Sequence, residues 1–278
     1  MSTPDTQPAV TQPYEEEAAR PSGDDEMNTI LDTRPLPEAE VSGPSQGRPE
    51  LLPSIGHIGR YALKYVIGEG GLGTVYAAYD PLLSRLIAIK TLNVDIPTDS
   101  HDTFNDLFLN EAKAAGRLSH PHIVTVFDAG VSPQGAYIAM ELLKGKDLRQ
   151  LLKDGWRPTP AQAALIVRRV ADALAYAHSK GVVHRDVKPS NLMLDQNGDV
   201  RLTDFGMARL VEEDHSLTLY GEFLGTLRYS APETLRGECD RRSEVYSLGV
   251  TLYELVGWRP AFDESQHQAL SVLISSGK

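Results

Sequence analysis

His184-Arg185-Asp186-Val187-Lys188-Pro189-Ser190-Asn191, followed by Asp204-Phe205-Gly206, is the stretch on which the reading of this chain turns. Two aspartates and an asparagine stand close together in loops bounded by short apolar runs. Hard oxygen donors of this kind suit Mg²⁺, which takes a carboxylate or two and fills its shell with phosphate oxygens. Asp186 is placed to accept a proton from an attacking hydroxyl, and Lys188 to offset charge on a phosphate in transfer. Each tripeptide alone arises often by chance. Their order and spacing together leave little room for a purely structural explanation.

Upstream stands Gly68-Glu69-Gly70-Gly71-Leu72-Gly73-Thr74-Val75. Glycines at these positions let backbone N–H groups approach phosphate oxygens with no Cβ in the way. The pattern also occurs in dinucleotide-binding folds, but there a helix follows the loop. Here Thr74–Tyr79 reads as a strand, which argues against that fold. Ala88-Ile89-Lys90 then ends a further strand, Leu86–Leu92, in a lysine between apolar residues. A buried ammonium needs a partner, and phosphate oxygens or a carboxylate would serve. The best carboxylate is Glu111, on a helical segment over 102–118 whose inward face is read as Leu107, Glu111, Ala115 and Leu118.

Around these motifs the first half reads as a mostly antiparallel sheet, with Tyr61–Ile67, Ile123–Phe127 and Ala136–Met140 as additional strand candidates. After Leu143 the chain turns helical. Thr159-Pro160-Ala161-Gln162 has the form of a capping box with proline in the first turn, and Gly181 suits the helix stop. A second buried helix is expected over Ser243–Val256, and a short one within Ser265–Ser276.

The chain has 278 residues and a formal net charge of −11. Residues 1–50 hold eleven Asp and Glu against three Arg, a net of −8 that leaves −3 for the remainder. That segment also holds eight of the eighteen prolines and few large apolar side chains, so it reads as a disordered acidic leader. Within it, Asn28-Thr29-Ile30-Leu31-Asp32 has the form preferred by some phosphothreonine readers, but a solvated tail with incidental threonines is the better explanation. No basic surface points to nucleic acid. The single cysteine, Cys239, excludes an internal disulfide and a cysteine-based metal site. No apolar run has the length of a membrane span, and the polar N-terminus lacks a signal core, so a cytoplasmic location is expected.

The glycine loop, strand lysine, helix glutamate, H-R-D-x-K-x-x-N, D-F-G and Ala231-Pro232-Glu233 follow the order of the eukaryotic-like protein kinases. Over residues 60–275 the chain resembles that family. The tone of His120-Pro121-His122-Ile123-Val124 and Tyr246-Ser247-Leu248-Gly249 is similar to bacterial serine/threonine kinases. The resemblance implies a bilobal α+β fold, with an N-lobe over 58–143, a C-lobe over 144–278 and the leader over 1–57. It implies ATP and Mg²⁺ as cofactors and Ser/Thr hydroxyls of proteins as acceptors. It further implies self-association for autophosphorylation in trans.

Site roles follow from it residue by residue. Gly68, Gly70 and Gly73 cover the phosphates, and Val75 and Ala88 sandwich adenine from above. Lys90 holds phosphates and pairs with Glu111. Met140 is the gatekeeper, Glu141 and Leu142 the hinge, and Met193 the floor. Asp186 is the base, Lys188 its companion, and Asn191 and Asp204 hold Mg²⁺. Thr226 contacts the catalytic Asp and Lys from the substrate side. Arg185 beside Asp186 accompanies activation-loop phosphorylation, for which Thr218 is favoured over Ser216.

The sequence departs from the family at two places. Glu244 stands where the family usually has an aspartate that anchors the His-Arg-Asp loop, and its extra methylene is expected to strain a tight site and weaken function. It would also serve as an acidic residue after a Ser243 cap. The chain further ends where the family continues with helices that cover the C-lobe and supply an arginine partner for Glu233. The C-lobe is therefore expected to be incomplete, with a catalytically impaired pseudokinase or nucleotide-binding scaffold as the alternative to an active kinase.

Overall fold

The computed structural model describes residues 52–70, 73–92, 101–133, 135–205, 227–264 and 266–276. Its first part is an antiparallel sheet built from β1 (Gly56–Ile58), β2 (Tyr61–Gly70), β3 (Gly73–Asp80), β4 (Arg85–Leu92), β5 (Val126–Ser132) and β6 (Gly135–Met140). The spatial order is β1-β2-β3-β4-β6-β5. The β-branched and apolar run of β4 explains its central place. Ile87, Ala88 and Ile89 are all buried, as expected of a strand covered on both faces. Lys90 pairs in register with Val75 of β3 and Ile138 of β6.

Lys64 ties the entering chain to this sheet. Its buried ammonium donates to the Leu52 carbonyl at 2.7 Å and to Ser54 Oγ at 3.3 Å, and the Ile55 N–H reaches the Leu63 carbonyl. The packed chain thus reaches back short of residue 58, where the sequence alone placed the lobe boundary.

One helix, α1 (His101–Ala115), lies against β5 and β6. Its buried side chains are Phe104, Phe108, Ala112 and Ala115. The inward stripe is therefore centred one position later than the sequence reading, because two phenylalanines outweigh Leu107 in apolar area. Glu111 is half-buried at the edge of that stripe. The expected strand at Ile123–Phe127 also shifts. Ile123 forms only an isolated bridge with Leu202, and the strand proper starts at Val126.

The second part is mainly helical. A small sheet of β7 (Gly145–Asp147), β8 (Leu192–Asp195) and β9 (Val200–Leu202) carries the loops between the lobes. The helices are α2 (Leu148–Lys153), α3 (Pro160–Ser179), α4 (Arg241–Gly257) and α5 (His267–Ser276). The bilobal α+β arrangement expected from the sequence is the one observed.

The capping box at Thr159 and Gln162 is formed, with reciprocal bonds of 2.9 and 3.3 Å. Gly181 takes a φ of 77° just past the end of α3, as a helix stop does. The start of α4 corrects the sequence reading. The cap is Asp240, which accepts from the Arg242 and Ser243 N–H groups, and Ser243 is the third helical residue that bonds back to Asp240 N. Leu248, Thr251 and Leu255 of α4 are buried, whereas Val245 and Tyr253 are 68% and 46% exposed, so the helix is covered along one side only. Leu270 and Ile274 of α5 are fully buried against Leu227. Among the described residues no helix is long and apolar enough to cross a membrane.

Candidate active site

The loop from His184 to Asn191 joins α3 to β8, and the loop after β9 carries Thr203, Asp204 and Phe205. His184 welds the two together. Its Nδ1 accepts from the Asp186 N–H at 3.1 Å, and its Nε2 bonds the Thr203 carbonyl at 2.7 Å. Nδ1 is therefore the bare nitrogen and Nε2 carries the hydrogen. The same ring packs edge-on against Phe205, with centroids 4.5 Å apart.

Asp186 is nearly buried, and its two oxygens differ. Oδ2 receives Lys188 Nζ at 2.8 Å and Asn191 Nδ2 at 2.9 Å. Among the described residues Oδ1 is buried without a hydrogen-bond partner, and an unpaired buried carboxylate oxygen is costly. Asn191 also donates to the Asp186 carbonyl at 2.7 Å. Both hydrogens of its amide are thereby used.

Across the cleft, Lys90 Nζ lies 2.9 Å from Asp204 Oδ1. The ion pair that the structure gives Lys90 is thus with Asp204 rather than with Glu111, the partner implied by the resemblance. Burial pushes the Asp204 carboxyl up, but the Lys90 ammonium, aided by His184 and Lys188, holds the group below its ordinary value. Asp204 and Arg185 take φ angles of 68° and 70°. Non-glycine residues hold that conformation only where their surroundings over-determine it, and such residues collect at functional sites.

The surroundings of Arg185 include Glu244. This side chain is 2% exposed, and its Oε1 accepts from the Arg185 N–H at 2.7 Å. Its Oε2 lies 2.5 Å from His178 Nε2, on the last turn of α3. The Glu244 carboxylate thus meets one donor on the catalytic loop and one ring nitrogen on α3. No periodicity marks His178, and only the fold brings it to Glu244. Glu233 likewise finds a donor nearby, the Ser243 hydroxyl at 2.8 Å.

The nucleotide-binding residues named from the sequence fall around one cluster. Val75 and Leu142 pack against a core that includes Ala88 and Met140. Met140 pairs with Ala88 across β4 and β6. The Glu141 N–H is held by the Thr125 carbonyl at 2.9 Å, and Arg201 lies 3.4 Å from its carboxylate. Met193 is half-buried on β8, opposite Asp147 and Arg201. Met140 also lines a cavity together with Lys90, Ile138, Asp204 and Phe205.

Gly68 pairs with Val75, and Gly70 with Gly73, at the end of the β2–β3 hairpin. These glycines are not equivalent. Gly73 has a φ of 145°, and an added Cβ would overlap the Thr91 carbonyl, whereas nothing lies within 4 Å of a Cβ at Gly68. Gly73→Ala is therefore expected to destabilise the fold by at least about 1–3 kcal/mol. Gly68→Ala should shift stability by less than about 0.5 kcal/mol and act only on nucleotide affinity. Paired thermal unfolding curves and ATP titrations check both. Thr226, Ser216, Thr218 and Gly206 lie outside the described residues.

Residues 61–276 match the family described as protein kinase domain. A probable serine/threonine-protein kinase of Corynebacterium efficiens is 44% identical over 210 residues, covering 73% of this chain and 32% of that protein. Serine/threonine-protein kinase PrkC of Bacillus subtilis is 37% identical over 206 residues, 74% of this chain and 31% of its own length. The chain thus spans about a third of the length of these curated relatives. The crystal structure of the Mycobacterium tuberculosis PknI kinase domain superposes with a TM-score of 0.63 at 30% identity, over 80% of this chain and 87% of that one. Taken with the loop, lysine and aspartate geometry above, these likenesses establish that the chain belongs to the protein kinase family.

Proposed function

We propose that this chain is the catalytic unit of a serine/threonine protein kinase, transferring the γ-phosphate of ATP to Ser and Thr hydroxyls of proteins. The observation that carries this reading is Asp186 Oδ1, buried and unpartnered among the described residues, while its sister oxygen is held by Lys188 and Asn191. A substrate hydroxyl is the donor that completes such a carboxylate. Oδ1 then receives the hydroxyl proton as the oxygen attacks phosphorus, and Lys188, already at the carboxylate, lies where charge on the moving phosphate develops.

The residues present fit Mg²⁺. The Asn191 amide oxygen and the second carboxylate oxygen of Asp204 would hold it, a donor set suited to a hard cation shared with phosphates. When bound, the cation neutralises charge on the phosphate oxygens. Lys90 holds Asp204 in place and presents a positive charge beside the phosphate positions. Val75, Ala88, Met140, Leu142 and Met193 supply an apolar slot for a base, and Gly68, Gly70 and Gly73 a close backbone cover. Glu111, half-buried on α1, remains the proposed second partner for Lys90 once nucleotide is present.

A protein acceptor suits the Ala231-Pro232-Glu233 segment, which is fixed to α4 through Ser243. Thr226 and Thr218 are proposed as the acceptor-side contact and the autophosphorylation site, the latter in a second copy of the chain. ATP-dependent chemistry and a lone cysteine suit the cytoplasm. Incubation with γ-labelled ATP tests the reading. Label is expected in protein Ser and Thr with Mg²⁺ and to disappear on chelation. ATP binding without transfer would point to a scaffold instead.

A further inference from the structure

Lys64 is a charged residue only 7% exposed. Buried lysines are almost always paired with an opposite charge, because an ammonium taken out of water is costly. Among the described residues the partners of this one are neutral. Its Nζ donates to the Leu52 carbonyl at 2.7 Å and to Ser54 Oγ at 3.3 Å, and it lies 5.8 Å from the centroid of the Tyr79 ring. The strand aims it there. β2 pairs with β3 as Leu63 with Ala78 and then Tyr65 with Ala77, so Lys64 is the extra residue of a bulge. A bulge takes its residue out of the ladder and re-aims the side chain. Leu63 and Lys64 are accordingly buried in succession, where a regular strand would turn one of them to the other face.

Ser54 is the side chain that this ammonium meets, and it is exposed. A hydroxyl is a weak counterpart for a charge. A phosphate monoester carries about −1.5 to −2 and three strong acceptor oxygens. On Ser54 it would be bonded to an oxygen already in contact with Lys64, and ammonium–phosphate bonds are charge-assisted. The entering chain is otherwise held here by the Ile55 N–H, 2.8 Å from the Leu63 carbonyl, so a phosphate at this point clamps residues 52–55 onto β2.

We propose that Ser54 is a phosphorylation site and that Lys64 holds its phosphate. The source of the phosphate rests on the phosphotransfer reading. A second copy of the chain passes the γ-phosphoryl group of ATP to Ser54 Oγ. The new O–P bond forms as the bond to the β-phosphate oxygen breaks, ADP leaves, and the hydroxyl proton goes to the Asp186 carboxylate. The grip of Lys64 on the phosphate is independent of that source.

The peptide Leu51–Glu69, which a glutamate-specific protease releases, contains Ser54 as its only serine or threonine. After incubation with γ-labelled ATP and Mg²⁺, label is expected in that peptide and absent from it in Ser54→Ala. Label elsewhere in the chain with none in this peptide overturns the proposal. No label anywhere counts against the kinase reading alone, and a chain synthesised with phosphoserine at position 54 then decides. In that chain the Ile55 amide is expected to exchange about 10-fold or more slowly than in the unmodified chain, and the slowing is expected to vanish in Lys64→Met. Unchanged exchange, or slowing that persists without the ammonium, overturns the proposal. Should Lys64→Met fail to fold, the titration of the phosphate replaces it. Beside an ammonium its second ionisation, ordinarily at about 6, moves down, and a ³¹P NMR midpoint at the ordinary value overturns the proposal.

Discussion

Asp186→Asn is expected to lower phosphate transfer by about 10²–10⁴-fold while ATP binds within about 3-fold of its native affinity. The substitution is nearly isosteric, so the loop keeps its path. Its amide, however, cannot take a proton, and one of its two terminal atoms becomes a donor. If that atom faces Lys188 and Asn191 it meets donors where an acceptor stood. If it faces outward it presents hydrogen to the incoming hydroxyl. Either orientation removes the proton acceptor, and neither touches the apolar slot for the base. Single-turnover transfer and an equilibrium nucleotide titration on the same preparation separate the two effects. Loss of binding in step with transfer would mean that Asp186 is a structural residue.

Lys90→Met is expected to cost about 10²–10³-fold in turnover, the usual loss when one preorganised charge is withdrawn from a site of this kind. It is also expected to lower stability at neutral pH by about 1–3 kcal/mol, because Asp204 loses the ammonium at 2.9 Å. The pH dependence has a definite sign. Asp204 titrates below its ordinary value in the folded chain. The stability it contributes is therefore present above about pH 4 and is lost as pH falls through the lowered value. In Lys90→Met that contribution should vanish, so the variant and native unfolding curves should converge toward acid. Parallel curves at all pH values would show that the Lys90–Asp204 pair carries no linkage.

Much of the site was legible in the sequence because its chemistry sits in short contiguous runs. His184–Asn191 and Asp204–Phe205 were recognisable by local spacing, and the fold joins the two runs through the His184 bonds. The capping box at Thr159 was equally plain, since four consecutive residues specify it. What sequence left open involves partners brought together from afar. Glu111 was the carboxylate that the sequence offered Lys90, and the ion pair of the structure is with Asp204, more than a hundred residues away. Glu244 looked like a misfit because it is a methylene longer than the aspartate the resemblance calls for, and nothing local in the sequence pointed to His178 on another helix. The α1 stripe was placed one residue early because counting apolar positions weights leucine and phenylalanine alike, whereas buried area does not.

The most direct test is phosphoamino-acid analysis of the chain after incubation with γ-labelled ATP and Mg²⁺, with Asp186→Asn in parallel. The expected result is phosphoserine or phosphothreonine in the native chain and background label in the variant. Equal label in both, or none in a native chain that binds ATP, would contradict a catalytic site built around Asp186.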